Sequence, residues 1–404
     1  MQATSERTLP APYAGLKVIE LAEDTGGEFL GRTLAEMGAD VTKAEPPEGS
    51  PTRRIGPFAK GEAGPDRSLH FWLYNSNKRS VTIDLGETGI EALAPLLDDA
   101  DIFISTLQPA RLAAAGLDLD ALSALFPRLI IVSVTPYGLT GPWKDYKASN
   151  LTGLAGGGPL NMCGYDDHSI PPINPGGDQA YHSATAFGHI GTLLALLDRQ
   201  RTGLGQIVDV AMHNAATMNV ELANPFWFYP RVNVQRQTCR HAQPSPTQSA
   251  LFQCADGRYV YYTLILSDSR AWDMLVAWMD QKGMAAMLTE PEFKDIAYRQ
   301  QRFDEIQSLV ECFFLCHDSR EMYLEGQAQG LPVGLMNAPE DLFEDEHLRA
   351  RDFFVPVDMG GDVGVVEYPG DSYRFTAFGS VPRARAPKLG EHDHELLGHR
   401  AAAE

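Results

Sequence analysis

Between residues 16 and 138 the chain alternates short, β-rich apolar runs with stretches of helical spacing, and this alternation restricts it to an α/β architecture. The series opens with LKVIELAEDTGGEFLGRTLAEMGADVTKAEPP. KVIEL reads as a strand and a glycine-containing turn follows. Phe29, Leu30, Leu34 and Met37 then share one helical face, and VTKAE reads as a second strand. SVTIDL, DIFIST and RLIIVSVTPYG continue the strands, with GIEALAPLLDDA and LDALSALF as the intervening helices. The expected fold is a Rossmann-like, doubly wound parallel sheet. Such a sheet hosts many chemistries. The TGG at residues 25–27 is not a GxGxxG fingerprint, which argues against a nicotinamide cofactor.

Residues 141–177 are crowded with Gly, Pro and Asn, and predict a working loop. Helical spacing returns at Ala180, Ala184, Phe187, Gly191 and Leu194, with Asp178 at the N-terminal end directly after two glycines. From about Thr238 the pattern changes to a hairpin around Asp256-Gly257, followed by the helical runs AWDMLVAWM, FDEIQSLVECFFL and REMYLEGQAQ. With 404 residues, more than one core is expected. The expected division is a large Rossmann-like domain over 1–225, a smaller α+β domain over 226–330, and a segment 331–404 that returns to the large domain.

Composition narrows the function. A net charge of −20 with no Lys/Arg block disfavours a nucleic-acid partner, while leaving room for an anionic cofactor held by a few local cations and helix N-termini. Five scattered cysteines without a CxxC suggest neither a disulfide framework nor a zinc site, and no other metal-ligand spacing occurs. Cys312, Cys316 and His317 fall at helical spacing and read as a buried apolar face. The start lacks the apolar core of a signal peptide, and no apolar run approaches a membrane span, so no membrane association and a cytoplasmic location are expected.

Asp178 admits two readings. As a plain helix N-cap, its carboxylate would bond the exposed backbone N–H groups. As a nucleophile, it would use the open space beside the Gly-Gly turn to meet a ligand. His182, at i+4, shares its helix face and reads as a packed or solvated His or as a general base. GxSxG and HExxH are both missing from the sequence, which removes the corresponding hydrolase readings.

Taken in order, LKVIEL…LAEMGADVTKAEPPEG, NSNKRSVTIDL, ADIFIST…LAAAGLD, PRLIIVSVTPYGLTGP, the GD before a helix, LLALLDRQRTGLGQIVDVAM, HLRARDFFV and PKLGEH resemble the class III CoA-transferases along nearly the whole chain. The resemblance implies an enzyme acting on acyl-CoA and a carboxylic acid, with Asp178 as the nucleophile. That carboxylate would form an acyl mixed anhydride and then an aspartyl-CoA thioester, in a site kept from water. It also implies a coenzyme A cradle at Asp24, Thr25 and Gly26, a CoA contact at Lys78, and an interlocked homodimer. Lys43, Arg53 and Arg79 could add positive charge, although solvated surface cations are the plainer expectation.

Three positions depart from the family pattern. Ser149 and Asn150 stand where transferases often carry a Tyr-Glu pair and where the related α-methylacyl-CoA racemases carry His-Asp. HAQPS, ending near Gln243, stands where a glycine loop is found, and Ala114 stands in place of an arginine. A racemase remains the alternative enzyme, and a catalytically inactive CoA-binding homologue the non-enzymatic one. Aromatic residues in NPFWFYP, with Trp72 and Tyr74, would line a pocket for a medium or branched acid or serve as core and dimer contacts.

Overall fold

The computed structural model describes residues 9–86, 88–220, 223–264 and 266–398. Residues 1–8, part of the stretch read for a leader, lie outside these. The chain divides into two compact units, one of residues 1–159, 175–219 and 346–404, the other of residues 160–174 and 220–345.

The first unit is built on a parallel sheet of β1 (Lys17–Leu21), β2 (Asp40–Glu45), β3 (Arg79–Thr82), β4 (Ile102–Ser105), β5 (Ile130–Thr135) and β6 (Ile207–Ala211), in the order β3-β2-β1-β4-β5-β6. This is the Rossmann strand order. Its last strand lies beyond residues 16–138, the stretch over which the sheet was read. β4 and β5 are buried at every residue, as expected of strands covered on both faces. The helices of this unit include α1 (Thr25–Glu36), α2 (Leu69–Asn75), α3 (Gly89–Leu97), α4 (Pro109–Ala114), α5 (Leu119–Leu125), α6 (Asn150–Gly157) and α8 (Gln179–Thr202), while α7 (Pro159–Met162) has all but its first residue in the second unit. Leu93, Leu96, Leu97 and Leu122 close one face of the sheet against Ile19, Phe103 and Ile131. A two-stranded hairpin, Phe354–Asp358 with Val365–Pro369, belongs to the same unit.

The Gly/Pro-rich stretch 141–177 is not loop throughout, since it contains α6 and α7. Ser149 caps α6, and Thr152 returns a bond to the Ser149 backbone N–H, a capping box that outweighs the glycines inside the helix. The face of α8 also differs from its apolar pattern. Its buried residues are Ala180, Ala184, Thr185, Gly188, Thr192 and Ala195, while Phe187 and Leu194 are exposed. Small side chains let α8 lie close on α1 and β5: a methyl group at Gly188 would meet Leu30 Cδ2 at 3.2 Å and Val134 Cγ2 at 3.6 Å.

In the second unit Asp256-Gly257 turns strand Leu251–Gln253 back into Tyr259–Tyr261, with Gly257 at φ +79°. Helices Ser269–Gln281, Phe303–Leu315 and Ser319–Ala328 surround Phe252, Val260, Trp278, Phe313 and Phe314. Cys312 and Cys316 are exposed, contrary to the buried face expected for them. The buried stripe of their helix runs through Ile306, Val310, Phe313 and Phe314 instead. Among the described residues no helix is long and apolar enough to cross a membrane.

Candidate active site

Asp178 occupies the N-cap position of α8, yet its side chain makes no capping bond. Its Oδ2 accepts a hydrogen bond of 2.8 Å from Thr25 Oγ1 instead. The capping bond comes from another helix. Asn150, the first residue of α6, accepts from the Ala180 backbone N–H through Oδ1 at 2.8 Å and donates through Nδ2 to the Gly177 carbonyl at 3.3 Å. Asn150 thus holds both sides of the turn that carries Asp178 and satisfies a helix N–H that an aspartate N-cap would otherwise take. Ser149 is engaged in capping α6. A second staple, from Thr185 Oγ1 to the Gly26 carbonyl at 2.8 Å, ties α8 to the first turn of α1.

The segment Asp24–Thr25–Gly26 faces this turn. Asp24 caps α1, its Oδ1 accepting from the Gly26 and Gly27 N–H groups at 3.0 and 3.3 Å. The positive end of the α1 dipole therefore meets a carboxylate of its own chain. Burial pushes the Asp24 carboxyl up to about 7, against those two backbone bonds. Tyr181 lies over the same turn, and its phenol is raised by burial and by the charges of Asp24 and Asp178. One turn further along α8, His182 Nε2 shares a 2.8 Å hydrogen bond with Tyr74 of α2 and packs on Phe29. Burial lowers the His182 pKa, Asp178 opposing it, and burial pushes the Tyr74 phenol up to about 12. Both side chains are neutral near pH 7.

Asp24, Thr25, Gly26, Asp178 and His182 are thus neighbours, whereas Lys78 is elsewhere. Its side chain has no exposed surface, and its three donor bonds go to Glu20 Oε2, the Glu28 carbonyl and Asn75 Oδ1 at 2.7, 2.7 and 2.8 Å. Burial lowers its pKa to about 8. Lys43 and Arg53, for which solvent exposure was the plainer expectation, are equally enclosed. Lys43 bridges Glu20 and Glu28 at 3.2 and 2.9 Å, and Arg53 holds Glu45 at 2.7 Å. β1 and β2 place Glu20 beside Lys43 in register, so each charge finds its counter-ion inside the sheet. Arg79 is partly exposed and pairs with Asp40 and Glu395.

Two residues at the site were missed in the sequence: His70, whose Nε2 lies 3.2 Å from Thr25 Oγ1, and Arg111, paired with Glu23 beside the Asp24 turn; for Asn150 the position was noted but its capping role was not. His70 and Tyr74 stand at i and i+4 of α2, a spacing that marks one helical face and was the available signal. Trp72 is buried and donates to the Asp66 carbonyl, so it is a core residue, while Trp227, Phe228 and Tyr229 are exposed.

Against known proteins, the sequence matches CoA-transferase family III over residues 13–393, so the chain belongs to that family. It is an enzyme of the CoA-transferase class, whose substrates are CoA thioesters. It is 30% identical over 393 residues to a subunit of succinyl-CoA:(R)-benzylsuccinate CoA-transferase of Thauera aromatica, covering 95% of this chain and 93% of that one. It is 28% identical to the succinyl-CoA–D-citramalate CoA-transferase of Chloroflexus aurantiacus, over 97% of this chain and 95% of that one. A CAIB/BAIF family protein from Brucella suis has the same fold, with a TM-score of 0.81 at 27% identity, over 98% of this chain and 100% of that one.

Proposed function

We propose that this enzyme moves CoA from an acyl-CoA donor to a carboxylic acid through covalent intermediates on Asp178. The observation that carries the reading is a carboxylate at a helix start that does not cap its helix. One of its oxygens is held by Thr25, and the other accepts no hydrogen bond from any of the described residues. In the first step the free oxygen attacks the thioester carbonyl carbon; a C–O bond forms, the C–S bond breaks, and CoA leaves as thiolate. The thiolate then attacks the Asp178 carboxyl carbon of the anhydride and releases the donor acid. An acceptor carboxylate repeats the sequence in reverse.

The turn Asp24–Thr25–Gly26 forms the proposed floor under the thioester. Lys78 supports that floor by holding the Glu28 carbonyl of α1, rather than by reaching out to the nucleotide. The relatives named above use succinyl-CoA with a dicarboxylic acid, so succinyl-CoA as donor and a dicarboxylic acid as acceptor are the first substrates to try, ahead of the medium or branched acid suggested by the aromatic residues. A racemase needs two acid–base groups about one carbon. Ser149 and Asn150 are not such groups, and both side chains are taken up by helix caps. A homodimer fits the exposed apolar row on α8, and five unpaired cysteines suit the cytoplasm.

The test is incubation with succinyl-CoA, a hydroxylamine quench and peptide mass spectrometry. A hydroxamate on Asp178, together with a fall in transfer of at least about a thousandfold in Asp178→Ala, is the expected result. Unmodified Asp178 with transfer proceeding would sink the covalent reading.

A further inference from the structure

Thr25 Oγ1 carries one proton, and that proton goes to Asp178 Oδ2 at 2.8 Å. Toward His70 Nε2, 3.2 Å away, the same oxygen can therefore only accept, which requires the proton of the imidazole to be on Nε2. The three groups form a directed chain, His70 Nε2–H to Thr25 Oγ1–H to Asp178 Oδ2. Thr25 is almost fully buried and the His70 ring packs on Tyr74 at 4.9 Å, so the donor end of the chain is held by α2.

We infer that His70 is a positioning residue for the nucleophile, acting through Thr25. This inference rests on the covalent reading of Asp178. With His70 donating, the Thr25 hydroxyl cannot rotate away, because it would then present its proton to the imidazole N–H. The hydroxyl proton is thereby aimed at one side of the carboxylate, and the opposite oxygen is left to attack. When thiolate adds to the Asp178 carboxyl carbon, negative charge develops on the oxygen that Thr25 holds, and a bond polarised by the imidazole meets it there. His70 supplies orientation only, and no proton leaves it during the cycle.

A double-mutant cycle tests this on the full-length enzyme, with thermal melts to show that each variant is folded. His70→Phe and Thr25→Val are each expected to lower kcat by about tenfold to a hundredfold, the size of one hydrogen bond to a charged group. KM for the acyl-CoA should move by less than about twofold, as for a bond that is present throughout and strengthens only as charge develops on the oxygen that Thr25 holds. His70→Gln, which keeps an N–H donor, should recover most of the loss. The double variant should be no slower than Thr25→Val alone, because His70 acts through that hydroxyl. Losses that multiply in the double variant, or a kcat unchanged in His70→Phe, would overturn the inference while leaving the Asp178 adduct in place. Absence of the adduct in the wild-type enzyme would remove the covalent reading and this inference together.

Discussion

At the scale of single residues, the site depends on hydrogen bonds that go somewhere other than the nearest partner. An aspartate at a helix start bonds its own helix by default, as Asp24 does. Asp178 is released from that default because Asn150 supplies the acceptor for Ala180 N–H. Replacing Asn150 with Ala leaves this N–H without a partner, and rotation of Asp178 into the cap is the nearest remedy. The expected outcome is a kcat lower by about tenfold, with a stability loss of only about 1 kcal/mol, as for a lost cap. Asn150→Asp, which keeps the acceptor, should retain more of the activity. Steady-state kinetics and urea unfolding of the two variants check this, and a kcat equal to wild type in Asn150→Ala would refute it. Asp178 itself could be singled out from the sequence, but its freedom could not, since Asn150 is 28 positions away and its position in the family pattern says nothing of a cap on α8.

At the scale of elements, α1 is the connecting piece. Its first turn meets Asp178 through Thr25, and its Glu28 carbonyl and side chain meet Lys78 and Lys43 on the buried side. Gly31 allows that packing: a Cβ there would sit 1.7 Å from Glu20 Oε2 and 3.3 Å from Lys78 Nζ. Gly31→Ala must therefore push the Glu20–Lys78 pair apart, at an expected cost of about 1–3 kcal/mol by equilibrium unfolding, as for overpacking in a filled core. A variant as stable as wild type would show that the buried pair relaxes freely. The strands were legible because their apolar runs are short and bounded by turn residues. β1 lies on KVIEL, and β2 begins one residue before VTKAE. The face of α8 was not legible, because its apolar spacing marks large residues while the packing against α1 selects small ones.

At the scale of the whole molecule, two charge facts stand side by side. The chain carries −20, and three of its cations, Lys43, Arg53 and Lys78, are spent inside the first unit on Glu20, Glu28 and Glu45. An acidic exterior is thus compatible with a site for anionic CoA esters only where backbone N–H groups and a few local cations gather. α8 meanwhile exposes Phe187, Ile190, Leu194 and Leu197, the last two more than 60% exposed. Four large apolar side chains along one helix are more than an isolated surface residue requires. For the proposed homodimer, Leu194→Glu with Leu197→Glu should convert the protein to monomer in light scattering behind a sizing column. An unchanged mass would place the dimer contact elsewhere.

The alternation of strands and helices up to about Gly138, the Asp256-Gly257 turn, the candidacy of Asp178 and the family resemblance were determined by the sequence alone, because each depends on residues adjacent in the chain or on motifs in fixed order. Only the tertiary structure decided that Asp178 leaves its cap, that Asn150 takes that cap over, that His70 belongs to the site, and that Lys43, Arg53 and Lys78 are interior. The physical reason is common to all of these. A polar side chain's role depends on which partner reaches it once the chain is packed. Those partners come from other elements, 153 positions away in the case of Thr25 and Asp178.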